Sequence, residues 1–101
     1  MEELSSGQRQ WLRRLAHDLR PVVQIGKNGL TEHVVAAVDQ ALLGSELIKV
    51  KFLEHQDQRR QLTATLVEET GSTLVALIGG VAILYRRHPD PERREIVLPQ
   101  E

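Results

Sequence analysis

Leu4, Trp11, Leu12, Leu15 and Leu19 recur at helical spacing, while Arg9, Arg13 and His17 fall in a different sector of the same wheel. The pattern predicts a helix over about residues 5–18, capped by Ser5 or Ser6, with one core face and one basic face. Pro21 disfavours helix at Arg20, so this helix is expected to end just before it. "PVVQI" then reads as a short buried strand. Leu30, Val34, Val35, Val38, Ala41 and Leu42 share one face of a second helix, with Thr31 as its cap and Gly44 as its stop. "ELIKVKF", residues 46–52, alternates: Ile48, Val50 and Phe52 point one way, Lys49 and Lys51 the other.

A polar turn, "EHQDQRR", leads into a third helix over about residues 57–70, carrying Leu62, Leu66 and Val67 and closing at Gly71. "STLVALIGGVAILYRR" reads as two strands joined through Gly79 and Gly80, a glycine pair that suits the twist of a hairpin. The order is therefore α-β-α-β-α-β-β. It predicts an α/β domain with a mixed four-stranded sheet whose last strand is antiparallel to its neighbour. "RHPDPERREIVLPQE" holds three of the four prolines and reads as a tail lying along the domain, with Ile96–Leu98 as a possible short strand.

Length bounds this reading, since 101 residues suffice for one modest core and not for two. One domain over 1–101 is expected, with its core at about 4–88 and the tail at about 89–101. Cysteine is absent, which excludes disulfides, thiol catalysis and the usual structural zinc sites and fits a reducing compartment. No apolar run has the length of a membrane span, and "MEELSSGQRQ" lacks the character of a signal peptide, so a cytoplasmic protein is expected. His17, His33, His55 and His88 show no ligand spacing, and the adjacent Glu68 and Glu69 diverge by about 100° on a helix. Neither a metal, a cofactor nor an enzymatic activity is expected.

The net charge of −1 argues against a uniformly basic nucleic-acid binder, but the charges are unevenly placed. Acidic residues gather at Glu2 and Glu3, on the second helix at Glu32 and Asp39, at Glu68 and Glu69, and around the tail. Basic residues gather elsewhere: Arg9, Arg13 and Arg14 on the first helix, Arg20 before the first strand, Lys27 after it, and Lys49 and Lys51 on the second strand. Arg86 and Arg87 would extend that patch, and Arg93 and Arg94 less so beside Asp90, Glu92 and Glu95.

Within "VVQIGKNGLTEHVV", Gly26 and Gly29 bracket Lys27 and Asn28 between a strand and a helix N-terminus. A helix start leaves amides without internal partners and carries partial positive charge, so it attracts anions. Glycines would let a phosphodiester backbone come close, Lys27 adds a mobile charge, and Asn28 can donate a hydrogen bond. A G-x-x-G loop that clamps a nucleic-acid backbone is a device of KH domains. The tetrapeptide alone more often marks nothing beyond a tight strand-to-helix turn, and it is the basic residues around it that favour the functional reading. It is neither a Walker loop nor a dinucleotide fingerprint. With only Trp11, Phe52 and Tyr85 as aromatics, and Trp11 on the apolar face, recognition is expected to rest on phosphate and shape.

"LRPVVQIGKNGLTEHVVAAVDQAL", "ELIKVKF", "VEETGSTLVALIGGVAILYR" and "IVLP", in this order, resemble a CRM domain, the chloroplast RNA splicing and ribosome maturation module, in its bacterial stand-alone YhbY form. The resemblance runs from residue 4 to about 98. It implies a fold similar to the C-terminal domain of translation initiation factor three, RNA binding, association with precursors of the large ribosomal subunit in bacteria and, in plant relatives, a part in group II intron splicing. On that reading 23S rRNA is the expected partner, with ribosomal proteins as neighbours and the protein itself a monomer. By position the resemblance makes Gly26, Lys27, Asn28 and Gly29 the loop, with Arg9, Arg13 and Arg20 on the basic surface beside it; the charge and cap pattern of the sequence itself adds Thr31, Arg14, Lys49, Lys51 and Arg86 as further expected RNA contacts. The chain departs from the family in its slightly acidic net charge and its acidic tail. The competing expectation is a protein-interaction adaptor on the ribosome or a translation factor, in which the glycine loop is purely structural.

Overall fold

A computed structural model describes residues 3–100; Glu2, counted above with the acidic residues, lies outside them. Helix α1 spans Ser6–Leu15, β1 Val23–Ile25, α2 Glu32–Ser45, β2 Leu47–Phe52, α3 Arg59–Thr70, β3 Thr73–Ile78 and β4 Val81–Tyr85. The expected order of elements is the observed one, with short 3-10 turns added at Gln56–Gln58 and Pro91–Arg93. The sheet runs β1-β2-β4-β3: β1 is parallel to β2, while β4 is antiparallel to both β2 and β3.

Two cores sandwich this sheet. Val23, Ile25, Ile48, Val50, Phe52, Ala82 and Leu84 point to one face, where Val38 and Leu42 of α2 and Leu66 of α3 cover them. Leu47, Val75, Ile83 and Tyr85 point to the other, under Leu4, Leu12 and Ala16, with Trp11 and the tail residues Ile96 and Leu98 packed at the margin. The period-two alternation read in β2 thus separates two cores, because successive strand side chains leave on opposite faces.

Helix starts follow their caps. The Ser5 hydroxyl accepts from the Gln8 amide while the Gln8 side chain accepts from the Ser5 amide, a reciprocal capping box. Thr31 accepts from the Val34 amide at 3.1 Å, as expected. Helix ends differ from the expectation in two places. Helix α1 stops at Leu15 and the chain turns through Ala16–Asp18, because Ala16, fully buried one turn after Leu12, is what sits on the sheet. Leu15 and Leu19, expected on the core face, are 45% and 40% exposed.

Helix α2 runs through Gly44 and stops at Glu46, whose φ of 57° lies in the region that side chains avoid. Its carboxylate explains why a glutamate holds this position. It is 3% exposed and accepts from the amides of His88 (2.8 Å), Glu95 (2.8 Å) and Ile96 (3.1 Å). Burial alone would raise its pKa, but these three amides and the charge of His88 outweigh burial and hold it below the usual glutamate range. The tail is therefore fastened to the α2–β2 junction. Ile96 and Leu98 pack against the second core without forming a strand, so the short strand expected there is not formed. Gln8 secures the end of the tail by donating to the Pro99 carbonyl at 2.9 Å.

Candidate nucleic-acid interface

Strand β1 ends at Ile25, paired with Phe52, and the chain turns at once through Gly26–Lys27–Asn28–Gly29, closed by the Gly29 amide on the Gly26 carbonyl at 3.0 Å. Lys27 and Asn28 are exposed at the tip. Gly29 takes a φ of 69°, which a β-carbon would strain, and the chain enters α2 two residues later through the Thr31 cap. Gly26 is different: its φ is not left-handed, and a β-carbon there would meet nothing within 4 Å. The fold needs one of the two glycines. The other keeps the outer face of the loop clear of a side chain.

The histidine reading missed one loop residue. His55, in a left-handed backbone conformation just after β2, places its Nε2 2.8 Å from the Lys27 carbonyl, and its ring lies where it would meet a β-carbon on Gly29 at 3.8 Å. It braces the loop from behind. Only the parallel pairing of β1 with β2 brings residues 27 and 55 together, so spacing along the chain carried no signal for it. The loop faces the first turn of α2, where the amides of Glu32 and His33 have no carbonyl within the helix to bond. Glu32 already sets a negative charge there, so the positive charge available to an anion comes mainly from Lys27 and from the neighbouring surface.

That surface is on the α1 side of the sheet. Arg9 and Arg13 are exposed one turn apart, with Arg14 beside them, and Arg20 is exposed in the linker. Lys49 and Lys51 leave β2 on the same side; Lys49 Nζ donates to the carbonyl of His17 at 3.2 Å and so ties the strand row to the end of α1. Arg13, His17 and Lys49 line one cleft. Lys51 pairs with Gln24, one rung from the Ile25–Phe52 pair that precedes the loop.

Arg86 is not part of this group. It follows Tyr85, which pairs with Leu47 at the far end of β2 from the loop. Its guanidinium donates to Asp39 Oδ1 (2.6 Å), the Thr70 carbonyl (2.7 Å) and the Asp39 carbonyl (3.1 Å), joining α2, α3 and β4. The side chain is 18% exposed, and its role in the fold is a clamp between helices.

Residues 4–86 match the model of the CRS1 / YhbY (CRM) domain. The chain belongs to that family. It is 43% identical over 102 residues to an RNA-binding protein of Haemophilus influenzae, covering the full length of both. It is 34% identical over 97 residues to YqeI of Bacillus subtilis, named as a candidate RNA-binding protein, across 95% of this chain and 99% of that one. Among solved structures, a Staphylococcus aureus protein, itself described as a candidate RNA binder, superimposes with a TM-score of 0.79 at 40% identity, covering 96% of this chain and all of the other. The CRM match ends at Arg86, before the tail residues that Glu46 grips.

Proposed function

We propose that this chain is a non-catalytic RNA-binding module that clamps an RNA backbone between the Gly26–Gly29 loop and the basic surface of α1 and β2. In the cell it would act as a cytoplasmic monomer on precursors of the large ribosomal subunit, with 23S rRNA as its partner and ribosomal proteins as its neighbours. The observation that carries the reading is Gly26, a glycine for which neither backbone angle nor crowding accounts, at the one place where a missing side chain opens a braced, lysine-tipped loop. The names of the relatives support it, as does the grouping of Arg9, Arg13, Lys49 and Lys51 on one side.

Each phosphate engaged contributes about 0.7–0.9 to the slope of log affinity against log salt, depending on strandedness. Lys27→Glu should lower RNA affinity and reduce that slope by about one contact, with melting unchanged because Lys27 is exposed. Equal affinity of variant and wild type for the same rRNA fragment would remove the loop from the mechanism. Sedimentation of lysate with crosslinking tests the cellular part: the protein should travel with large-subunit particles and crosslink to 23S rRNA near Lys27. A protein-adaptor reading draws on the exposed Leu15, Leu19 and Val22, and predicts ribosome association that survives Lys27→Glu and fails when those leucines are made polar.

A further inference from the structure

Helix α1 covers only part of its side of the sheet. It ends at Leu15, over Leu47, Val75, Ile83 and Tyr85, whereas the sheet continues for another rung toward the loop. The register Gln24–Lys51–Val81–Ile78 defines that rung across all four strands. Gln24 and Lys51 are exposed on it, Ile78 is 45% exposed, and among the described residues no helix covers them. A β-bulge at Val75 makes this arrangement. Val75 and Ala76 both pack toward α1, and the extra residue turns Ile78 onto the α1 side, where unbroken alternation from Thr73 would have placed Leu77.

Where the end of α1 meets this rung the surface folds into a cleft of about 420 Å³. Its rim carries Arg13, His17 and Lys49, and its floor is Ile78, Val81 and Ile83. An apolar floor gives nothing to a phosphate, and a cationic rim gives nothing to a wholly apolar segment. A nucleotide matches both, with a flat base for the floor and phosphates for the rim.

We propose that this cleft receives an unpaired nucleobase, so that the RNA is single-stranded where it crosses the sheet; the inference rests on the RNA-binding reading above. A duplex keeps its bases stacked inside and offers phosphates and 2′-hydroxyls, none of which fills an apolar recess. A single strand held at Gly26 passes the Gln24–Lys51 rung roughly 7 Å away, two strand residues on, with a base free to turn in. The floor is aliphatic, so it takes any base face and discriminates little between sequences.

The test is fluorescence anisotropy with a short unstructured RNA and the same RNA annealed to its complement, at matched salt. The wild type should bind the single strand about three- to ten-fold more tightly than the duplex, and Ile78→Ser should remove most of that preference without changing the salt slope. Methyl resonances of Ile78 and Val81 should shift on adding the single strand and stay in place with the duplex. Duplex binding as tight as single-strand binding, an Ile78→Ser variant that binds like wild type, or unmoved methyls would each overturn the proposal. If Lys27→Glu weakens binding and Ile78→Ser does not, the cleft alone is refuted. If the wild type binds neither RNA, the functional reading falls with it.

Discussion

Removing the Glu46 carboxylate perturbs the point where α2, β2 and the tail meet. Three amides converge on it at 2.8, 2.8 and 3.1 Å, those of His88, Glu95 and Ile96. A hydrogen bond to a charged group contributes about 1.5–3 kcal/mol, but part of the sum here is offset by burying the charge. After truncation the Glu95 and Ile96 amides can turn to water with the tail, whereas the buried His88 amide loses its partner. Glu46→Ala should therefore cost about 2–4 kcal/mol, lowering Tm on the order of 10–20 °C for a domain of this size. Glu46→Gly should be about 1 kcal/mol more stable than Glu46→Ala, because glycine relieves the φ of 57°.

The pH dependence follows from the lowered pKa. Between the folded and unfolded values the unfolded chain binds more protons, so stability rises with pH across that window. The contribution of Glu46 is complete above the unfolded value, about 4.3, and is lost as pH falls through the folded one. Scanning calorimetry from pH 7 down to pH 3 on wild type and Glu46→Gln reads this directly. The Tm gap between them should be largest near neutrality and should narrow below about pH 5. A Gln variant that melts with wild type at pH 7, or a gap that stays constant down the series, would refute the reasoning.

The two loop glycines should separate: Gly29→Ala should cost about 1 kcal/mol in thermal or urea unfolding, while Gly26→Ala should leave stability unchanged and weaken RNA binding. Wild-type RNA affinity in a folded Gly26→Ala variant would show that the open face of the loop is not used. Arg86→Met should destabilise by about 1–3 kcal/mol, mainly through the two carbonyls it leaves behind, since Asp39 is half exposed and its charge is screened. RNA affinity and salt slope should not move in that variant, and a reduced slope would place Arg86 on the RNA after all.

Local periodicity and the turn residues between periodic segments were enough to set the kind and order of the three α-helices and the four strands of the sheet. Ile48, Val50 and Phe52 alternate because a strand has two faces, and Val34, Val38 and Leu42 repeat because a helix has one that is buried. The G-x-x-G loop, the Thr31 cap and the basic residues of α1 were legible for the same reason, since each is written within a few neighbouring residues. What depends on pairing between distant segments was not legible. Glu46 ends α2 because amides about fifty residues away donate to its carboxylate, a fact absent from the glycine-stop rule that pointed to Gly44. His55 braces the loop because β1 lies parallel to β2, and Arg86 leaves the basic patch because β4 delivers it to Asp39 and Thr70 at the opposite end of the sheet. The bulge at Val75 moves Ile78 to the α1 side against the period-two pattern. One extra residue in one strand reverses every side chain beyond it, so the face offered beside the loop was decided only when the strands paired.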